Sequence, residues 1–339
     1  MNILITRLSA LGDVAMMIPV VSSIAQRYPE HNFTVVSMPL VAPLFKGLPN
    51  VDFVAFEKRT SHKGVKGILK LFRQLNKLRK YDCMVDLHDV LRTKILRSLF
   101  RVIGTKIFII DKGRAEKKDL VDKGFQHSTQ LTSSVDRYRA VFASMGLTIG
   151  TVNSSLPFVA LTSGDKIIET FGDKKGKWIG IAPFSQHVGK QLPLNKVETV
   201  IDYFCQEPET TVFLFGAGDR EKQLIENWIT KYPKARSVVG KLPFDVELLL
   251  MKELDVMMTM DSGNMHLASL VGTPVVSIWG ATHPFAGFYG MNQPESNAVQ
   301  LPLACRPCSI FGNVPCKFGT YECLNAIDPK IIVEKMAKY

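Results

Sequence analysis

The sequence predicts an α/β protein of two doubly wound, Rossmann-like parallel-sheet domains, and three observations carry that reading. Short apolar runs alternate with segments of helical period along the whole chain. A small, polar, turn-rich stretch at 147–163 interrupts the alternation once. The length, 339 residues, suits two domains at roughly 100–200 residues each.

The elements follow in order. In the first half, apolar runs predict strands at Asn2–Thr6, Phe33–Ser37, Asp52–Phe56, Cys83–Leu87 and Lys106–Ile110. Between and after them, helical period covers Val14–Arg27, Val65–Lys80, Val90–Phe100 and Leu131–Met145. In Val65–Lys80, Ile68, Leu71, Phe72, Leu75 and Leu78 form one apolar stripe, which turns the lysines and arginines outward. The second half repeats the pattern. Its strands are expected at Trp178–Ala182, Thr211–Phe215, Ser237–Val239, Val256–Met260 and Val275–Trp279. Its helices are expected at Leu194–Cys205, Asp219–Trp228, Phe244–Glu253 and Asn264–Val271, and a last one, Pro329–Ala337, starts on proline. The expected domains are 1–160 and 161–325, with a terminal helix at 326–339 packing back on the first domain. In open α/β sheets ligands bind beyond the carboxyl ends of strands, so a cleft between the two domains is the expected site.

Composition narrows the class. Hydrophobic residues make up 46% and charged residues 22%, which excludes long disorder. No apolar run approaches the roughly 20 residues of a membrane span, and the N-terminus has no signal-peptide pattern. A soluble, intracellular protein is expected. The net charge of +11 is uneven: residues 1–160 hold 24 basic and 12 acidic side chains, the remainder 18 and 19. A basic half suits an anionic partner such as nucleic acid, an acidic membrane or a phosphorylated substrate; a merely solvated face is the alternative.

Three loops after predicted strands carry chemistry. Leu8 to Asp13 follows the first strand, with Gly12 available for a tight turn. Asp13 is either a first-turn acid favourable to its helix or a carboxylate able to take a proton from a hydroxyl. No G-x-G-x-x-G occurs, so a dinucleotide cofactor is not expected. Asp261-Ser262-Gly263-Asn264-Met265-His266 opens a helix whose free N–H groups suit a diphosphate, with His266 one turn in. Ser185 and Lys190 lie on the loop after the second domain's first strand, where a lysine can neutralise phosphate, and Gly216 sits in the turn after the next strand.

In this order, L-G-D near the N-terminus and D-S-G-x-x-H-x-A-x-x-x-G-T-P-x-x-x-x-x-G-x-T resemble glycosyltransferase family 9, the lipopolysaccharide heptosyltransferases. Tyr81-Asp82-Cys83-Met84-Val85-Asp86-Leu87-His88 with Arg92-Thr93 is similar to a further family stretch, although His88 stands where glutamine is usual. Ser262 replaces a frequent threonine, and Leu192-Pro193 replaces Trp-Pro. The resemblance implies GT-B architecture and inverting transfer of a heptose or related sugar from a nucleotide-sugar donor, typically ADP-heptose, to lipid A with its inner-core sugars. It implies Asp13 as general base, and Ser185, Lys190, Gly216, Asp261, Ser262, Gly263 and His266 as donor ligands. Gly12, Arg92, Lys117 and Lys118 are expected to serve the acceptor. A monomer is expected, on the cytoplasmic face of an anionic membrane, with no nucleic-acid partner and no required cofactor. The competing readings are a nucleotide-sugar epimerase, which leaves the basic half unexplained, and a nucleic-acid-binding protein, which leaves the 261–266 loop unexplained.

Cys305, Cys308, Cys316 and Cys323 crowd the C-terminal region as C-x₂-C-x₇-C-x₆-C. Only the first pair has good zinc spacing, so packing thiols are expected over a metal, and disulfides least of all in a reducing compartment. Cys83 and Cys205 read as core residues.

Overall fold

The computed structural model describes residues 1–152 and 156–339. The chain divides into two units: 1–112 with 134–161, and 113–133 with 162–339. The expected linker at 147–163 includes Asn153, Ser154 and Ser155, which lie outside the described residues.

The first unit is a parallel five-stranded sheet in the order β3-β2-β1-β4-β5. Its strands are β1 (Asn2–Thr6), β2 (Asn32–Ser37), β3 (Val51–Ala55), β4 (Cys83–Asp86) and β5 (Lys106–Ile109). β1 is central and Ile3 to Thr6 are buried, as expected of a strand covered on both faces. Helices α1 (Leu11–Arg27), α2 (Gly64–Leu78) and α3 (Leu91–Val102) connect strands, and α5 (Ser134–Ala143) packs on α1. Ile68, Leu71 and Leu75 of α2 enter a core with Leu4, Val36, Met84 and Phe100, so the predicted stripe faces inward; Leu78 at its end is exposed.

The second unit is a parallel six-stranded sheet, β11-β10-β9-β6-β7-β8. Its strands are β6 (Lys177–Ala182), β7 (Thr210–Leu214), β8 (Ala235–Ser237), β9 (Val256–Met260), β10 (Val275–Ile278) and β11 (Ala298–Val299). The helices around it are α7 (Asp165–Phe171), α8 (Leu194–Gln206), α9 (Gly218–Lys231), α10 (Phe244–Glu253), α11 (Gly263–Leu270), α12 (Glu322–Asn325) and α13 (Pro329–Met336). A short helix α6 (Pro157–Leu161) ends the first unit's share of the chain.

The stretch after Lys112, where the sequence suggests no helix, forms helix α4 (Arg114–Lys123) and belongs to the second unit. Within that unit the Phe125 ring stacks on His283 at 4.6 Å, and the Leu131 N–H donates to the Phe285 carbonyl at 2.9 Å. The terminal helix, α13, packs on α8, with Ile332, Val333 and Met336 in the second unit's core. With α4 reassigned, the first unit holds 20 basic and 9 acidic residues and the second 22 of each, so the whole excess of +11 stays on the first.

Candidate functional site

Each sheet has one point where the strand order reverses. In the first unit it lies between β1 and β4, in the second between β6 and β9. Such points open a crevice at the strands' carboxyl ends, where loops diverge and ligands bind. The loops that carry Asp13, Arg92, Ser185, Lys190 and Asp261 to His266 leave the strands at these two points.

At the first, Asp13 is the third residue of α1, with its side chain 28% exposed. Its Oδ2 accepts from the Ala10 N–H at 3.3 Å and lies 2.5 Å from the guanidinium of Arg7, which is nearly buried. Asp13 thus caps its own helix and is also held by a cation. Arg7 is fixed in turn, donating to the Leu87 carbonyl at 2.7 Å and lying 5.9 Å from the Tyr138 ring. The Tyr138 hydroxyl donates to the Asp13 carbonyl at 3.2 Å, and burial pushes its pKa up. Gly12 sits inside the first turn of α1 and is not among the left-handed residues, so no tight turn requires it.

The β4 end is rigid. Asp86, fully buried, accepts from the His88 and Asp89 N–H groups and from Arg97 at 3.0 Å. The Leu8 N–H donates to His88 Nδ1 at 3.2 Å, which ties this loop to the Asp13 loop. Burial, then the positive charges of Arg7 and Lys112, push the His88 pKa down to about 3, so the ring is neutral. Arg92, expected to serve the acceptor, is exposed on the first turn of α3. Lys117 and Lys118 lie on α4 of the second unit, where Lys117 Nζ sits 4.3 Å from the Phe288 ring centre and Lys118 is exposed.

At the second point, Ser262 is the N-cap of α11 in extended conformation, and its buried hydroxyl has no hydrogen-bond partner among the described residues. Gly263 begins the helix and His266 is buried within it. Lys190 Nζ lies 3.0 Å from Asp261 Oδ2, which also accepts from the Thr282 hydroxyl at 2.8 Å. The Ser185 loop is pinned by Gln191, whose Oε1 accepts from the Ser185 N–H at 2.9 Å while Nε2 donates to the Pro183 carbonyl. Ser185 and Gln191 line a cavity of about 190 Å³ with Arg220 and Glu221 of α9. Gly216 packs against Glu221, whose carboxylate accepts from the Ala217 N–H at 2.8 Å.

The cysteine-rich segment braces this point. Arg306, almost fully buried, donates to the Gly280, Thr282 and Leu301 carbonyls and to Gln300 Oε1. Gly312, at φ +71°, leaves room for the Lys190 stem: a Cβ there would stand 2.4 Å from Lys190 Cγ. Cys305, Cys308, Cys316 and Cys323 are free thiols lining one cavity of about 270 Å³. Among the described residues no group of three or more ligating side chains is placed to hold a metal ion. Cys83 is buried as expected, whereas Cys205 is only half-buried.

Sequence reasoning missed Arg7, Gln191, Arg306 and Gly312. An arginine ending a buried strand was the available signal for Arg7. Gln191 acts within its own loop, and Arg306 and Gly312 act through long-range packing, which spacing does not report.

Comparison with known proteins fits this geometry. The sequence profile of glycosyltransferase family 9 (heptosyltransferase) matches residues 68–314. The lipopolysaccharide core heptosyltransferase OpsX of Haemophilus influenzae is 26% identical over 84% of this chain and 80% of that protein. A family 9 glycosyl transferase from Veillonella parvula shares the fold at TM-score 0.76 and 20% identity, covering 100% of this chain and 98% of that one. Heptosyltransferase WaaC of E. coli, solved with ADP-2-deoxy-2-fluoro heptose, does so at TM-score 0.70 and 16% identity, over 100% and 99% of the two chains. The two parallel-sheet units thus have GT-B architecture, and the epimerase and nucleic-acid readings fall away. The chain belongs to glycosyltransferase family 9, the heptosyltransferases, and is a glycosyltransferase enzyme.

Proposed function

We propose that the enzyme transfers a heptose from ADP-heptose, with inversion, to a phosphorylated inner-core acceptor on lipid A. The observation that carries this reading is the second unit's switch point. There the Ser262 hydroxyl at the α11 N-terminus has no partner among the described residues, and its neighbour Asp261 holds the Lys190 ammonium at 3.0 Å, which suits the two to an anion. The WaaC relative, solved with an ADP-heptose analogue, supports the same donor class. Ser185, Lys190, Gly216, Asp261, Ser262, Gly263 and His266 serve the donor; Gly12, Arg92, Lys117 and Lys118 are assigned to the acceptor.

In the proposed step the acceptor hydroxyl gives its proton to Asp13 as its oxygen bonds to the anomeric carbon. The bond from that carbon to the diphosphate oxygen breaks, and ADP leaves with the electron pair. Arg7 holds the Asp13 carboxylate in place, so it meets the hydroxyl already oriented. The helix N-terminus and Lys190 stabilise the charge that develops on the leaving diphosphate. None of this needs a cofactor. The basic first unit suits an anionic leaflet carrying the acceptor, on the cytoplasmic side, with the protein acting as a peripheral monomer. Among the described residues no helix is long and apolar enough to cross a membrane.

The test is transfer itself. Purified protein with ADP-heptose and deacylated lipid A bearing inner-core sugars should release ADP and add one heptose to the acceptor by mass spectrometry. ADP release without a glycosylated product, or no reaction, would reject the reading.

A further inference from the structure

His88 is the polar group beside Asp13 to which the proposed mechanism gives no task. The ring is 8% exposed. Its Nδ1 is committed, because it accepts from the Leu8 N–H. A neutral imidazole whose Nδ1 accepts must carry its proton on Nε2. Among the described residues nothing hydrogen-bonds to Nε2, and that atom is not among the sealed, unpartnered ones. Backbone geometry fixes where the ring stands. The His88 N–H is held by Asp86 Oδ1 at 3.0 Å, and Asp86 is itself clamped by Arg97. On the other side, Arg7 bridges the Leu87 carbonyl and the Asp13 carboxylate. The ring is therefore held through its Nδ1 and its own backbone N–H, near the proposed base, at the switch point of the first sheet.

We propose that His88 is a specificity-determining contact for the acceptor: its Nε2–H donates to a sugar oxygen next to the hydroxyl that Asp13 deprotonates. This rests on the acceptor binding at the carboxyl edge of the first unit. A neutral donor is apt there. It adds a directional hydrogen bond without a second full positive charge against Asp13, which would weaken the carboxylate as a base. A glutamine would offer both a donor and an acceptor from a mobile side chain, whereas this ring offers a donor alone in a fixed direction. The consequence is selection for an acceptor oxygen that can receive a hydrogen bond. A buried donor left unpaired is costly, so an acceptor without that oxygen is penalised.

The test is steady-state transfer with ADP-heptose and the deacylated inner-core acceptor. The variants are His88→Leu, His88→Asn and His88→Gln, with ADP affinity measured by calorimetry on each. His88→Leu and the shorter His88→Asn should each raise acceptor KM about tenfold, the loss of one hydrogen bond of about 1.4 kcal/mol. Donor KM and ADP affinity should stay within about twofold, and His88→Gln, which keeps an N–H within reach, should restore acceptor KM to within about threefold of the parent. His88→Asn carries the test if the leucine variant does not fold. Acceptor KM unchanged in the folded variants, or His88→Gln as impaired as His88→Asn, overturns the assignment while leaving the transferase reading intact. Absence of heptose transfer by the parent protein overturns that reading and this inference with it.

Discussion

The Lys190 ammonium and the Asp261 carboxylate stand 3.0 Å apart, both largely buried, with the Thr282 hydroxyl on the same carboxylate oxygen. The lysine is therefore already oriented before any phosphate arrives, so little side-chain freedom is lost when one binds. Asp261 is better placed to hold Lys190 than to touch a diphosphate, which it would repel. Lys190→Ala should weaken ADP binding by about tenfold or more, because it removes a charge-assisted contact. Titration calorimetry checks this, and unchanged affinity would mean the phosphates bind elsewhere.

Gly312 offers a separate probe of the same lysine. An alanine there would press its Cβ to 2.4 Å from Lys190 Cγ at a left-handed backbone position. Gly312→Ala should lower ADP affinity by about three- to tenfold with the lysine charge still present, at a folding cost of about 1 kcal/mol. Calorimetry and a melting curve on one sample separate the two effects. Parent-like affinity would show that the position of Lys190 is not critical.

Much of the fold was legible in the sequence because each parallel strand is a short apolar run between helical periods. β1 and β9 fall where the pattern puts them, and the other predicted strands are displaced by a residue or two. The exceptions share a cause. β11 has only two residues, too few to show a pattern. α4, with Leu120 as its one buried residue, shows almost no apolar stripe, so no helix is expected there. Its place in the second unit depends on Phe125 meeting His283 across more than 150 residues of chain, which no local signal encodes. In the site, the loops after strands were legible because small and acidic residues stand out there. The pairing of Lys190 with Asp261 was not, since it depends on neighbouring strands far apart in the chain; that of Arg7 with Asp13 depends on the path of the short turn between them.

Glu247 should make the stability of the second unit pH-dependent. Burial pushes its carboxyl up to about 7 from the ordinary 4.5. Between those values the folded state keeps a proton that the unfolded chain has lost, so stability falls as pH rises through this window and levels off above it. Glu247→Gln removes the effect. Its stability advantage over the parent should grow by about 1–3 kcal/mol between pH 4.5 and 7 and then stay constant. Denaturant unfolding at several pH values tests this, and an advantage independent of pH would contradict it.

The first unit, with 20 basic and 9 acidic residues, should bind anionic surfaces. Such attraction is screened within about 8 Å at physiological ionic strength. Sedimentation with liposomes should show binding to anionic vesicles that declines as salt is raised, and little binding to neutral ones. Equal binding to both would remove electrostatic docking from the account.

Asp13 as the base is the central claim, and Asp13→Asn tests it most directly. The amide keeps the size of the side chain and can still accept from Ala10, but it cannot take a proton at neutral pH. It also leaves the buried Arg7 guanidinium without its counter-charge. A stability loss of about 1–2 kcal/mol, a few degrees in Tm, is therefore expected alongside the catalytic effect. The decisive measurement is turnover of the folded variant under saturating donor and acceptor, with ADP affinity determined in parallel. The account predicts a fall in turnover of at least about 100-fold, some 2.7 kcal/mol of transition-state stabilisation, with ADP affinity within about twofold of the parent. Near-parent turnover in Asp13→Asn would contradict it.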